Sequence, residues 1–350
     1  MKIAQVSPLV ESVPPKLYGG TERIVSYLTE ELIRQGHQVT LFASGDSQTA
    51  AELHPIVDTA LRFDPDVKDA QVFTLLQLEE VRARAQEFDV IHFHTDYLHF
   101  PMLRELGLTN TLTTMHGRLD LPGYAQVFQD HYDYPLVSIS DDQRRPLPRA
   151  NWAGTVLHGL PLDICRFEPA PRGDYLAFLG RVSPEKRVDR AIEIARRAGM
   201  KIKIAAKIDA ADRQYFESEI EHLFSQRHVE YVGEINERQK CEFLGQARAL
   251  LFPIDWPEPF GLVMIEAMSC GTPCVAWRAG SVPEIIREDE NGFIVDSIED
   301  AVDAVHRVTA LDRARVRQSF EQRFSAQRMT RDYLDIYHRV ARTKAGRVAA

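Results

Sequence analysis

DYLAFLGRVSPEKRVDRAIEIARRAGMKIKIAAK, residues 174–207, decides the fold. It opens on a short apolar run (174–180), passes through Ser183-Pro184, a pair suited to a helix start, and closes on a second run rich in β-branched residues (201–207). Strand, helix and strand in that order make a parallel βαβ unit. The same alternation extends both ways. Candidate strands lie at 2–7, 38–44, 89–94, 110–116, 135–140 and 155–158 upstream, and at 228–234, 248–254, 272–277 and 292–296 downstream. Between them apolar residues recur at helical spacing, as Ile24, Val25, Leu28 and Leu32 do. Short apolar strands separated by helices argue for parallel sheets covered on both faces. The expectation is α/β: two Rossmann-like, doubly wound domains, residues 1–160 and 161–324, parted by the Pro- and Gly-rich segment 158–174. A last helix over 325–343 carries Met329, Tyr333, Ile336 and Tyr337 on one side and should pack back on the first domain. Two such sheets facing each other would bring their carboxyl edges to a central cleft, where ligands of these folds bind.

Composition limits the function classes. The 350 residues are 44% hydrophobic and 27% charged, the balance of an ordinary globular protein. No apolar run approaches the ~20 residues of a membrane span, and Pro8 and Glu11 interrupt any signal-peptide core. The expected location is cytoplasmic, with membrane contact at most peripheral. A net charge of −9 speaks against a nucleic acid partner. The stretch 312–350 is nonetheless basic, with ten Lys/Arg against four Asp/Glu, and reads as a solvated face or a membrane-touching helix. Cys165, Cys241, Cys270 and Cys274 contain no C-x-x-C pair and read as reduced core thiols.

Chemistry concentrates at three strand ends. After the first strand, KLYGGTER (16–23) places Gly19-Gly20 where backbone can approach a ligand, with Thr21 as a candidate N-cap. No G-x-G-x-x-G occurs, so the dinucleotide fingerprint is absent. In the second domain, Arg181 and Lys186 flank a helix start: a guanidinium, an ammonium and free N–H groups suit two phosphates. In WPEPFGLVMIEAMSCGTP (256–273), Pro257, Pro259 and Gly261 put Glu258 on a loop, while Glu266 lies about one turn inside the helix beginning at Leu262. The two carboxylates can bind different parts of one ligand, and carboxylates suit sugar hydroxyls. The N–H groups of Phe260, Gly261 and Leu262 complete an anion-binding helix start.

These motifs resemble a known family. EPFGLVMIE is similar to the E-x7-E motif of retaining GT-B glycosyltransferases, family 4 in particular. GRVSPEK resembles that family's donor-phosphate segment, and GGTER and HGLPLD fit as well. The resemblance implies a GT-B fold with a C-terminal crossover helix, and transfer of a hexose from a nucleotide diphosphate sugar with retention. It implies UDP-hexose as donor ahead of GDP-mannose, an unidentified hydroxyl acceptor, and no metal or other cofactor. By the same resemblance Arg181 and Lys186 contact the pyrophosphate and Glu266 the ribose. Glu258, with the backbone of Phe260 to Leu262, holds the sugar ring, His116 lies near the donor sugar, and Gly20 admits the donor phosphates. The competing readings are a GT-B glycoside phosphorylase and a non-catalytic nucleotide-sugar-binding protein.

Weaker signals surround these. His92, His94 and Asp96 alternate along one strand and read as strand-end polar groups, with His94 and Asp96 candidates for the acceptor pocket. HGRLDLP (116–122) reads as an acceptor-side loop, Arg144, Arg145 and Arg149 as a solvated basic loop, and Glu284 as a helix-start carboxylate near the donor. Oligomeric state is not readable.

Overall fold

The computed structural model describes residues 1–16 and 19–348. It divides into two compact units: residues 1–159 with the segment from Ala326 onward, and Leu160–Ser325.

The first unit is built on a parallel seven-stranded sheet of order β3-β2-β1-β4-β5-β6-β7. Its strands are β1 (Lys2–Val6), β2 (Gln38–Ser44), β3 (Glu52–Val57), β4 (Val90–Phe93), β5 (Thr111–Thr114), β6 (Leu136–Ser138) and β7 (Trp152–Thr155). β3 is the strand the sequence concealed. Pro55 interrupts it and its residues are at best half-buried, which an edge strand tolerates. Helix α1 (Gly20–Arg34) buries Ile24, Val25, Leu28 and Leu32. Its N-cap is Gly19, with no side-chain cap, so Thr21 stands inside the helix and not at its cap. A Cβ on Gly19 would come within 2.7 Å of Pro15, so close packing demands glycine there.

The second unit carries a parallel six-stranded sheet of order β10-β9-β8-β11-β12-β13. These are β8 (Tyr175–Arg181), β9 (Lys201–Lys207), β10 (Val229–Gly233), β11 (Ala249–Phe252), β12 (Cys274–Trp277) and β13 (Gly292–Val295). The order reverses direction between β8 and β11, as it does between β1 and β4 in the first unit. Those are the switch points at whose carboxyl ends such sheets bind ligands. Ser183-Pro184 does not open an α-helix. Pro184–Lys186 forms one 3-10 turn, Arg187 takes a left-handed conformation (φ 53°), and helix α2 (Val188–Arg197) begins only after it. Val188, Ala191, Ile192, Ile194 and Ala195 of α2 are at most 1% exposed. Burial of each large one contributes roughly 1.5–3 kcal/mol.

The shorter helices of the second unit include α3 (Glu237–Gly245) and α4 (Leu262–Ser269), and the chain ends in the long helix α5 (Ala326–Val348). Met329, Tyr333, Ile336 and Tyr337 are all buried, and α5 packs on α1, β4 and β5. The basic stretch is a solvated face only in part: Arg315, Arg331, Arg339 and Arg342 are exposed, while others are half-buried and bond inward. Arg313 donates to the carbonyls of Glu168, Gly245 and Ala247, and Arg317 to those of Leu162 and Ser269. Several of these carbonyls close α3 and α4, where a cation also opposes the helix dipole. Arg323 donates to Glu284 and Ile285, Arg328 to His158, and Arg339 to Ala153.

The cysteines divide in two. Cys165 and Cys241 are disulfide-bonded, with Cα atoms 5.3 Å apart, which corrects the expectation of four reduced thiols. Spacing along the chain gave no hint, because the fold joins residues 76 apart. Cys270 and Cys274 are buried thiols, and burial pushes Cys270 up to about 11. Among the described residues, no helix is long and apolar enough to cross a membrane.

Candidate functional site

In the second unit the candidate residues gather beyond the carboxyl ends of β8 and β11. β8 ends in Arg181, and the turn after it delivers Lys186. Lys186 Nζ donates to Glu258 Oε2, which also accepts from the Trp256 indole N–H at 3.0 Å. The ammonium lies 5.1 Å from the centre of the Trp256 ring and 5.8 Å from that of Phe252. An aromatic face attracts a cation, so ring and carboxylate hold Lys186 together. The Glu258 loop is pinned from behind: Ser281 N–H donates to the Glu258 carbonyl at 3.0 Å, and Ser281 Oγ–H to that of Phe260 at 2.7 Å. Gly280 (φ +53°) backs this loop so closely that a Cβ would sit 2.3 Å from Glu258 N.

Arg181 stands among acids. Its guanidinium lies 2.6 Å from Glu185, 3.3 Å from Asp212 and 3.8 Å from Asp209. Arg187 pairs with Asp189 and Asp255, each at 2.8 Å. Arg190 is not a solvating residue, as its charge alone suggests. It packs 4.1 Å from the Trp277 ring centre and donates to the Pro253 carbonyl, and burial lowers its pKa.

Gly261 (φ +80°) caps α4, and a Cβ there would meet Met264 and Phe252. Among the described residues nothing takes the N–H of Gly261 or Leu262, as a helix N-terminus requires of an anion site. Phe260 is buried beneath them. One turn into α4, the buried Glu266 accepts from Lys240 Nζ, which also lies 3.2 Å from Glu237.

The first unit assembles a different kind of site. His92 of β4 and His94, just past its end, lie with their ring centres 4.0 Å apart, and both are buried. His116, two residues beyond β5, lies 2.8 Å through Nε2 from His94 Nδ1. His94 Nε2 is 2.8 Å from Gln5 Oε1, so both its ring nitrogens are occupied within the unit. Gln5 Nε2 donates to the Tyr337 hydroxyl at 2.9 Å, and that hydroxyl is 2.7 Å from His92 Nδ1. His92 Nε2 meets Thr114 Oγ1 at 2.7 Å, and Thr114 meets the Tyr333 hydroxyl at 3.0 Å. Burial lowers the pKa of His116 to about 3, and those of His92, His94 and His158 well below the ordinary value. Burial thus favours the neutral form of each imidazole.

Asp96 is exposed and left-handed (φ 57°) just past β4. Gly19 and Gly20 open α1, whose Glu22 is buried and raised to about 7, desolvation being the main cause. Arg118 of the 116–122 loop pairs with Asp120 at 2.6 Å. Arg144 donates to Ser138 Oγ and lies over the Trp152 ring, while Arg145 pairs with Asp142. Glu284 lies in the short helix Val282–Ile285. The triplet Asp64-Pro65-Asp66 is exposed, with Asp64 turned back on the Asp66 N–H. No group of three or more His, Cys, Asp or Glu that could hold a metal occurs among the described residues. Sequence reading did not single out Trp256, Lys240, Glu185, Asp209, Asp212, Gln5 or, as a polar group, Tyr337. Each acts through a partner distant in the chain or looks locally like an ordinary surface or core residue.

Comparison with known proteins identifies the family and the fold. The family model described as "Glycosyl transferases group 1" matches residues 166–323, and "Glycosyltransferase Family 4" matches residues 18–154. A GDP-mannose-dependent alpha-(1-6)-phosphatidylinositol dimannoside mannosyltransferase of Mycobacterium tuberculosis is 29% identical over 227 residues, 57% of this chain and 58% of that protein. Among the first curated relatives the chain matches, the shared part spans from 34% to 58% of their length in two cases. Sucrose-phosphate synthase from Thermosynechococcus elongatus is similar in structure with a TM-score of 0.76 at 19% identity, covering 97% of this chain and 98% of that one. HepE of Anabaena, in complex with UDP and glucose, gives 0.73 at 17%, covering 96% and 98%. The shared fold is GT-B.

Proposed function

The chain belongs to glycosyltransferase family 4, and we propose that it transfers a hexose from a nucleotide diphosphate sugar to a hydroxyl acceptor, with retention and without a metal. The observation that carries this reading is the Lys186–Glu258 pair beneath Trp256 at the β8/β11 switch point. A cation for phosphate and a carboxylate for hydroxyls already touch there, as the two halves of a sugar phosphate require. When donor arrives, Lys186 exchanges carboxylate for phosphate, and Glu258 exchanges ammonium for sugar hydroxyls. Arg181 and the N–H groups of Gly261 and Leu262 receive the rest of the diphosphate, and Glu266 takes the ribose hydroxyls. Gly19 and Gly20 leave room for phosphate, and Asp96 is the residue assigned to the acceptor.

Chemically, the anomeric C–O bond to phosphate breaks while the acceptor oxygen bonds to the same carbon on the same face. The acceptor proton passes to the departing phosphate oxygen. Charge grows on that oxygen, and fixed donors aimed at it lower the barrier; losing one such donor costs ~2.7–4 kcal/mol in other enzymes. Retention rests on the likeness of residues 258–266 to the E-x7-E motif. UDP-hexose is the first donor and GDP-mannose the second. The mannosyltransferase named above supports the latter, and the HepE complex with UDP and glucose the former.

A thermal-shift panel of nucleotide sugars tests this. A ligand at 100 times its Kd stabilises by about 2.7 kcal/mol, so the true donor stands out before the acceptor is known. Lys186→Ala and Glu266→Ala should abolish transfer in a folded chain. Unchanged turnover in both variants, or no shift with any nucleotide sugar, refutes the assignment.

A further inference from the structure

We propose that the hydroxyl acceptor is uncharged and amphiphilic: its apolar part lies on Leu98 and Leu121 of the first unit, and Asp96 accepts from one of its hydroxyls. The inference rests on the acceptor role of Asp96 proposed above and names the substrate class for that position. Two segments come together beyond the carboxyl ends of β4 and β5, residues 95–99 and 116–124. The Tyr97 and Tyr124 rings join them, edge to face with centres 5.3 Å apart, and both pack on Phe128 at 6.3 and 5.9 Å. The Tyr124 hydroxyl is pushed up to about 12, by burial first and then by the charge of Asp96, so that carboxylate stands close to the ring pair. Asp96 itself keeps contact with water, yet the side chains crowded round it desolvate its carboxyl and raise its pKa.

Around this ring pair the surface is apolar. Leu98, next to Tyr97, is 48% exposed. Leu121, whose carbonyl accepts from Tyr124 N–H at 3.2 Å, is 38% exposed. A single exposed leucine is ordinary. Two of them, on joined segments at strand ends where ligands of such sheets bind, make an apolar wall with one carboxylate as its polar anchor. Charge selects further. The two segments contain one Lys or Arg, Arg118, and Asp120 holds it through bonds of 2.6 and 2.7 Å. A phosphorylated or carboxylated acceptor would meet the Asp96 carboxylate with no unpaired cation from either segment to offset the repulsion. An uncharged hydroxyl compound instead donates to Asp96 and covers the leucines.

The test is a matched set of acceptors that share one ring: octyl, phenyl and methyl β-glucoside, glucose, and glucose 6-phosphate. Each is given to the full-length chain with the nucleotide sugar that the thermal-shift panel selects, and turnover is read as release of nucleoside diphosphate. Each methylene covered is worth about fourfold in affinity, so KM should fall by roughly tenfold or more from methyl to octyl glucoside. Phenyl glucoside separates an aryl from an alkyl group on the same wall, and glucose 6-phosphate should be the poorest of the set. Leu98→Ser and Leu121→Ser should each raise the KM for octyl glucoside toward that for methyl glucoside. Binding is also read without donor, from the methyl signals of the chain labelled at leucine and assigned with the same two variants. Octyl glucoside below its micelle concentration should shift Leu98 and Leu121, and glucose 6-phosphate neither. Equal shifts at Leu75 and Leu76, exposed on the helix Ala70–Arg84, would mean mere adhesion of a detergent and overturn the proposal. So would glucose 6-phosphate as the best acceptor, or an octyl preference that both serine variants retain. If no nucleotide sugar stabilises the chain, the proposed function falls, and the leucine signals still decide whether this wall takes an apolar hydroxyl compound.

Discussion

Lys240→Met isolates the electrostatics of the donor half of the site. Lys240 and Glu266 are only 10% and 9% exposed, and the ammonium bonds directly to the carboxylate. Removing the ammonium leaves a charge stranded out of water, and breaking such a pair costs about 3–5 kcal/mol. An exposed pair would cost at most ~1 kcal/mol. Glu237 cannot compensate, being of the same sign as Glu266 and itself a partner of Lys240 at 3.2 Å. For a unit of this size each kcal/mol corresponds to about 2–4 °C, so the melting temperature should fall by roughly 6–20 °C. Glu266→Gln should cost less, because Lys240 keeps Glu237. In the double variant both positions are neutral, and stability should recover toward that of Glu266→Gln alone. Urea titrations followed by tryptophan fluorescence suit the experiment, since Trp256 and Trp277 both lie in the second unit. A Lys240→Met deficit below ~1 kcal/mol, or a double variant whose deficit is the sum of the two singles, would refute the reasoning.

Further outcomes follow from neighbouring features. Asp209→Asn with Asp212→Asn removes two acids competing for the half-exposed Arg181; each contributes at most ~1 kcal/mol, so donor KM should drop by up to about fivefold per acid, measured as UDP release. Glu22, raised to about 7 by burial, keeps its proton in the folded state between its ordinary 4.5 and about 7, where the unfolded chain releases it. Stability thus falls as pH rises through that window, by about 3 kcal/mol in all. Glu22→Gln should be more stable than the parent at pH 8 and equal to it at pH 4, and a pH-independent difference would contradict this. The Cys165–Cys241 bond closes a long loop. Cys241→Ser should cost about 2–4 kcal/mol, and a reducing agent should bring the parent down to the variant's stability.

The sheets were legible because their signal is local. Eleven of the strands fall on the apolar runs read from the sequence; β7 (Trp152–Thr155) meets the run expected at 155–158 only at Thr155, and β3 fails the reading altogether since Pro55 and exposure erase the pattern. The site was legible where a residue's meaning lies in its immediate neighbours: Glu258 between prolines, Gly261 before a helix, Lys186 after a strand-end turn. Lys240 carries no such mark, because its partner Glu266 is 26 residues away. The Cys165–Cys241 pairing and the route from Gln5 to Tyr337, 332 residues apart, were invisible for the same reason. Helical spacing placed Tyr337 on the buried side of α5, but periodicity reports burial and is blind to what a phenol does once inside. The basic stretch misled in the opposite way. Charge counts treat arginine as a surface residue, whereas here Arg313, Arg317 and Arg323 satisfy carbonyls at the ends of other elements.

The pairing of the site's cations bears on what the site admits. Lys186, Lys240 and Arg181 each face a carboxylate in the resting protein. A free anion such as inorganic phosphate can take Lys186 only by leaving Glu258 without its counter-charge, with the Trp256 indole N–H alone on it, and a partly buried carboxylate opposes that exchange. A nucleotide sugar satisfies both members at once, since its phosphates meet the ammonium while its hydroxyls donate to the carboxylate. If this is the donor site proposed above, the resting ion pairs act as a filter that requires phosphate and hydroxyls in one molecule. Inorganic phosphate should compete weakly, UDP better, and UDP-hexose best. In Glu258→Gln the filter is relaxed, because the neutral amide loses little when Lys186 leaves it. Phosphate inhibition should then strengthen relative to that of the nucleotide sugar. If phosphate instead binds the parent as tightly as UDP-hexose does, the carboxylates are bystanders and the discrimination lies elsewhere.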